Sequence, residues 1–154
     1  MKQALYISLL AASLGGFVMP VIAAESTATP VQHTVQPQKV VYHINYNDPK
    51  LLNAALGNVK NHLNGVGEDN ITLAVVLHGD GVELLKLAVD DINLQGKVTG
   101  LRGQKVKFLV CGNTLKSRQI KLEDLFEVAE TDVVPSGVVE LATLQQQGYA
   151  YIKP

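Results

Sequence analysis

The sequence holds one cysteine, Cys111, and no tryptophan. A single sulfur excludes an internal disulfide and leaves no thiolate set for a cysteine zinc site. Aromatic residues make up 5% of the chain and are scattered, so no stacking platform for nucleic-acid bases is expected. Neither sign of charge dominates, because 13 Lys and Arg oppose 14 Asp and Glu for a formal net charge of −1. That balance supplies no global pull toward nucleic acid or anionic membranes. The scattered histidines and carboxylates show no metal-ligand spacing, so neither a metal nor a cofactor is expected. The apolar run that opens the chain is shorter than the roughly 20 residues a membrane-spanning helix needs.

What is present suits one compact domain. The chain has 154 residues, 47% of them hydrophobic and 18% charged. Lys2 begins a short positive region, an apolar stretch follows from Ala4 to about Val18, and Pro20 interrupts it. Small residues close the segment at Ala23 and Ala24, the pattern of a cleavable signal peptide over residues 1–24. With no cysteine near the cleavage point, the expectation is an exported periplasmic protein without a stable membrane anchor. Residues 25–38, rich in Thr, Pro and Gln, cannot bury enough surface to offset ordering entropy and read as a flexible linker. The folded domain is then 39–154.

Within it, short apolar runs alternate with amphipathic stretches. Residues 39–45 and 71–77 read as strands, the second apolar enough for a central parallel strand. Asp48-Pro49 reads as the cap and first position of a helix carrying Leu52, Leu56, Val59 and Leu63, with Gly65 at its stop. A second helix is expected after Gly81, with Val82, Leu85, Val89 and Ile92 on one face. Residues 106–110 read as a third strand before a short helix, and a short helical piece is expected over 122–126. Val133-Val134 reads as a fourth strand, and Pro135-Ser136 as the cap of a last helix ending at Gly148. Tyr149 to Lys153 reads as a fifth strand. Such alternation predicts a three-layer α/β/α fold around a mostly parallel five-stranded sheet.

Ligands of open parallel sheets bind outside the carboxyl ends of the strands. Those ends carry His43, Asn45 and Tyr46; His78 and Asp80; Cys111, Asn113 and Thr114; and Ser136. Cys111, between a strand and a helix, reads either as a thiolate stabilised by helix N–H groups or as a small hydrophobe closing a buried strand. Lys116, Arg118 and Lys121 can add positive potential to the first reading. His78 is a candidate base or donor beside the sulfur, or simply a turn residue. His43, alternating with apolar neighbours, reads as a core or interface residue. Gly79-Asp80-Gly81 permits a tight strand-to-helix turn but completes no phosphate-binding fingerprint, and Gly79, Asp80, Gly112, Asn113, Thr114, Ser136 and Gly137 are the candidate binding residues of this edge. Backbone N–H groups near Ser136 and Gly137 can hold an anion at a helix start.

Four segments in order, Val75 to Val82, Phe108 to Leu115, Val133 to Val138 and Gly148 to Pro154, give the chain a resemblance to the DsrE/DsrF-like family from about Val40 to its end. The resemblance implies a doubly wound α/β fold and assembly into homo-oligomers, trimers or hexamers. It also implies sulfur relay as a persulfide on a cysteine after the third strand, exchanged with a donor or acceptor protein. Cys111 matches that cysteine, and Arg118 resembles a basic residue of the following helix. His78 and Asn113 would orient the incoming group. The export signal departs from the cytoplasmic setting of the sulfur-relay members. Other readings of the same residues are a non-catalytic module for a small anion or nucleotide-like ligand, and a homo-oligomeric accessory subunit.

Overall fold

The computed structural model describes residues 36–154. The expected signal peptide and most of the expected linker lie outside the described residues. Strand β1 spans Gln38–Ile44, one residue earlier than the domain boundary expected from composition. Its partners are β2 (Ile71–Leu77), β3 (Lys107–Cys111), β4 (Val133–Val134) and β5 (Ala150–Ile152). All pairings are parallel, in the order β4-β3-β2-β1-β5. The sheet is thus wholly rather than mostly parallel among the described residues.

The helices are α1 (Pro49–Val66), α2 (Glu83–Leu87), α3 (Ile92–Gly103), α4 (Gly112–Arg118) and α5 (Gly137–Gln146). The Asp48 carboxylate caps α1, accepting from the N–H groups of Lys50 at 2.8 Å and Leu51 at 3.1 Å. The helix runs one residue past Gly65 and ends before Gly67, whose φ of +89° turns the chain away.

The strand order decides which face each helix covers. Steps from β1 through β4 move in one direction, and β5 returns to the far side of β1. Right-handed crossovers therefore place the helices of the outward steps on one face and α5 on the other. The buried clusters follow this division. Val40, Tyr42, Ile44, Leu73, Val75, Leu77, Phe108 and Val110 pack with α1, α2 and α3. Val41, Ala74 and Val76 pack with Leu141 and Leu144 of α5.

The expected helix from Val82 to Ile92 is two helices. The chain turns after Ala88, and the Asp91 carboxylate starts α3 by accepting from the N–H groups of Asn93 and Leu94. Val89 and Ile92 consequently stand in solvent instead of on a buried face, Ile92 at 75% exposure. Three glycines, Gly96, Gly100 and Gly103, lower the helix propensity of α3, so local composition does not mark it as a helix. Its buried stripe of Leu94, Val98 and Leu101 keeps helical spacing. The piece expected over 122–126 is a single 3-10 turn, Leu122–Asp124.

Candidate functional site

Side chains on a strand alternate between faces, so register assigns each strand-end residue to a side. His43 shares the face of Val41, and Val41 pairs with Tyr151. His78 follows β2 on the face of Val76, and Cys111 ends β3 on the face of Leu109. Because the strands lie in the order β3-β2-β1-β5, Cys111, His78, His43 and Tyr151 form a row on the face that α5 covers. The row sits at the carboxyl ends of the strands, where parallel sheets hold their ligands.

Cys111 is buried, at 5% exposure, and occupies the N-cap position of α4. Burial pushes its thiol pKa up. The Thr114 hydroxyl and the N–H groups of Gly137, Thr114 and Asn113 lie nearby and favour the thiolate, which outweighs burial and lowers the pKa overall, although the thiol itself makes no capping hydrogen bond. Thr114 is buried and holds its place by accepting from the Gly79 N–H at 2.9 Å. The Asn113 N–H also reaches the Pro135 carbonyl at 3.2 Å, tying the start of α4 to the end of β4. Two helix starts thus converge on one sulfur.

Gly137 is the residue that lets them converge. A Cβ there would lie 2.8 Å from the Cβ of His78 and 3.2 Å from the Cβ of Cys111, so a side chain would push both away. Ser136 occupies the N-cap position of α5, but its hydroxyl makes no capping hydrogen bond. Gly112 passes 3.2 Å from the Val134 carbonyl, measured to where its Cβ would be. Gly81 has a stricter requirement, since a Cβ would meet the Ile44 carbonyl oxygen at 2.0 Å.

His78 and His43 stack, with ring centroids 4.7 Å apart and planes 18° from parallel. His43 Nδ1 and the Tyr151 hydroxyl are hydrogen-bonded at 2.7 Å. The Nε2 atoms of both histidines are buried and have no hydrogen-bond partner among the described residues. Burial lowers the His43 pKa to about 4, with the nearby His78 and the Lys153 ammonium acting in the same direction. Burial and Lys153 lower that of His78. Both rings are therefore neutral at pH 7 and each offers one N–H and one lone pair. Lys153 itself donates to the neutral Asn45 amide at 2.6 Å.

Arg118, at the far end of α4 from Cys111, pairs with Asp80 at 2.6 Å, and both side chains are about half exposed. Lys121 pairs with Glu123 at 3.0 Å. The groups that act on the thiol are accordingly hydroxyl and backbone donors, with Arg118 and Asp80 linked to each other nearby. His43, buried as the core or interface reading of the sequence expects, joins the row together with Tyr151. The signal that finds them is the two-residue alternation combined with strand order. Among the described residues, no three His, Cys, Asp or Glu side chains gather as a metal-binding group.

The fold and this edge define a class: an all-parallel three-layer α/β protein with a cysteine and a row of polar side chains at the strand ends beside a helix start. The chain belongs to the DsrE/DsrF-like family, whose model matches residues 39–154. It is similar to the solved structure of MTH1491, a protein of unknown function from Methanobacterium thermoautotrophicum. That match has 33% sequence identity and a TM-score of 0.65, and covers 76% of this chain and 99% of the other. No curated protein matches the chain at a significant level.

Proposed function

We propose that this protein is an exported sulfur handler in which Cys111 carries a sulfane sulfur as a persulfide. The observation that supports the reading is a buried sulfur at the start of α4, beside the start of α5 at Gly137, where the neighbouring hydroxyl and N–H donors lower its pKa. Donors arranged this way stabilise a thiolate, and they equally stabilise the anion of a persulfide formed on it. In the step proposed, the Cys111 thiolate attacks the outer sulfur of a donor hydropersulfide, R–S–SH. A new S–S bond forms as the old one breaks, and R–S⁻ leaves to take up a proton. The oxidation level of the transferred sulfur is retained, so no separate oxidant is consumed. Burial of Cys111 restricts the donor to small species such as hydropersulfides or inorganic polysulfide. His78, packed against Gly137 beside the sulfur, is the nearest imidazole to orient the incoming group.

The reading includes homo-oligomers, trimers or hexamers, and the apolar Val138 and Val139 that α5 leaves exposed support it. The test of the central step is intact-protein mass spectrometry after exposure to polysulfide. The protein is expected to gain the mass of sulfur at Cys111, reversibly with a thiol reductant, and Cys111→Ser to gain none. A wild-type protein that stays unmodified contradicts the reading.

The unpartnered imidazole nitrogens favour a second reading, in which the same edge holds a small hydrogen-bonding ligand without transferring sulfur. Thermal stabilisation by such a ligand, undiminished in Cys111→Ser, distinguishes it.

A further inference from the structure

Helices α1 and α3 lie side by side on the opposite face from the strand-end row, and their outer surfaces enclose a groove of about 450 Å³. Leu56, Gly57, Gly96, Gly100 and Leu101 line it, and the exposed Ile92 stands at its edge. The volume falls in the range of small-molecule sites, roughly 300–1,000 Å³.

Three of these lining residues are glycines inside helices, where glycine is less stable than alanine. Packing within the chain does not require them, because a Cβ on Gly57, Gly96 or Gly100 would meet nothing within 4 Å. What they maintain is the open groove itself.

The charge around the groove is one-sided. Neither α1 nor α3 contains an Asp or a Glu. The carboxylates of Asp48 and Asp91 are at the helix starts and are used on backbone N–H groups. Lys60 and Lys97 line the groove and bind only neutral amides across it, Lys60 to Gln104 at 2.5 Å and Lys97 to Asn53. These two contacts lie seven residues apart along each segment, Asn53 to Lys60 on α1 and Lys97 to Gln104 just past the end of α3, roughly 10 Å along the axis. Two ammonium groups whose partners are uncharged therefore flank an apolar floor of leucine and glycine.

We infer that the α1–α3 groove binds a small amphiphilic anion, a carboxylate on an acyl or aryl body. The apolar body lies on the glycine floor, and the acid head displaces a neutral amide from Lys60 or Lys97. The inference does not depend on the chemistry of Cys111.

Decanoate, kept below its aggregation threshold, is the probe, with 1-decanol as its uncharged counterpart. Calorimetry on the purified protein is expected to give one decanoate per chain, bound at least about tenfold more tightly than decanol. Lys60→Gln with Lys97→Gln removes that preference for the acid. Gly96→Leu with Gly100→Leu fills the floor and abolishes binding, while the better helix propensity of leucine raises or holds the unliganded melting temperature. Loss of binding in that variant is therefore not loss of fold. No decanoate binding to the wild type, or equal binding by the leucine variant, overturns the inference.

Discussion

The two faces of the sheet are built from the same strands and differ in what they bury. On the α1–α3 side, twenty-three buried residues among those described form one continuous apolar cluster. Under α5 the corresponding cluster has five, and its place at the strand ends is taken by Cys111, two neutral imidazoles and a tyrosine. The difference follows from topology, since three outward crossovers cover one face and a single return covers the other. One face carries the stability of the domain. The thinner one can hold polar groups, because fewer apolar contacts compete for its space.

This contrast has graded consequences. Phe108→Ala, on the thick face, is expected to lower the unfolding free energy by about 3–5 kcal/mol, and Leu144→Ala, under α5, by about 2 kcal/mol. Urea denaturation of the two variants measures both, and equal losses would erase the distinction. Next in size is a pH effect confined to the thin face. His43 has a pKa of about 4 when folded and 6.5 as a free side chain, so between these values the unfolded state binds more protons. Stability should therefore rise with pH through that window and be lost as pH falls from 6.5 toward 4, by about 3 kcal/mol. His43→Gln should flatten that part of the stability profile, and an unchanged slope would remove His43 as its source.

Gly137→Ala tests the junction where α5 meets the row. Crowding His78 and Cys111 is expected to cost about 1–2 kcal/mol, the size of a modest overpacking. It should also raise the Cys111 thiol pKa by shifting the Gly137 N–H. A stability loss without a change in thiol reactivity would mean that this N–H does not act on the sulfur. The smallest effect belongs to Arg118→Gln. Its pair with Asp80 is half exposed, so less than about 1 kcal/mol is expected in denaturation.

Much of the fold was legible in the sequence because its signals are local. The apolar run of residues 71–77, the Asp48-Pro49 cap and the left-handed Gly148 each specify their element with neighbouring residues alone. Helix α3 was obscured by its glycines, although the Leu94, Val98 and Leu101 spacing and the Asp91 cap were present. Cys111, Thr114, Gly137 and His78 could be placed at strand ends from the sequence. The helix N–H groups of Asn113 and Thr114 beside the sulfur were legible with it, but the Gly137 contact was not, since it joins residues 26 apart. The stacking of His43 on His78 depends on strand order in the same way, and the Arg118–Asp80 pair on a fold-back that no local pattern encodes.

The central claim is that the thin face activates the Cys111 sulfur, and the most direct measurement is the pH dependence of its reaction with a small alkylating agent. The account predicts a thiol pKa below the ~8.5 of a free cysteine, rising toward it in Thr114→Val. A pKa at or above that value, or labelling only after denaturation, would contradict it and leave Cys111 as a packing residue.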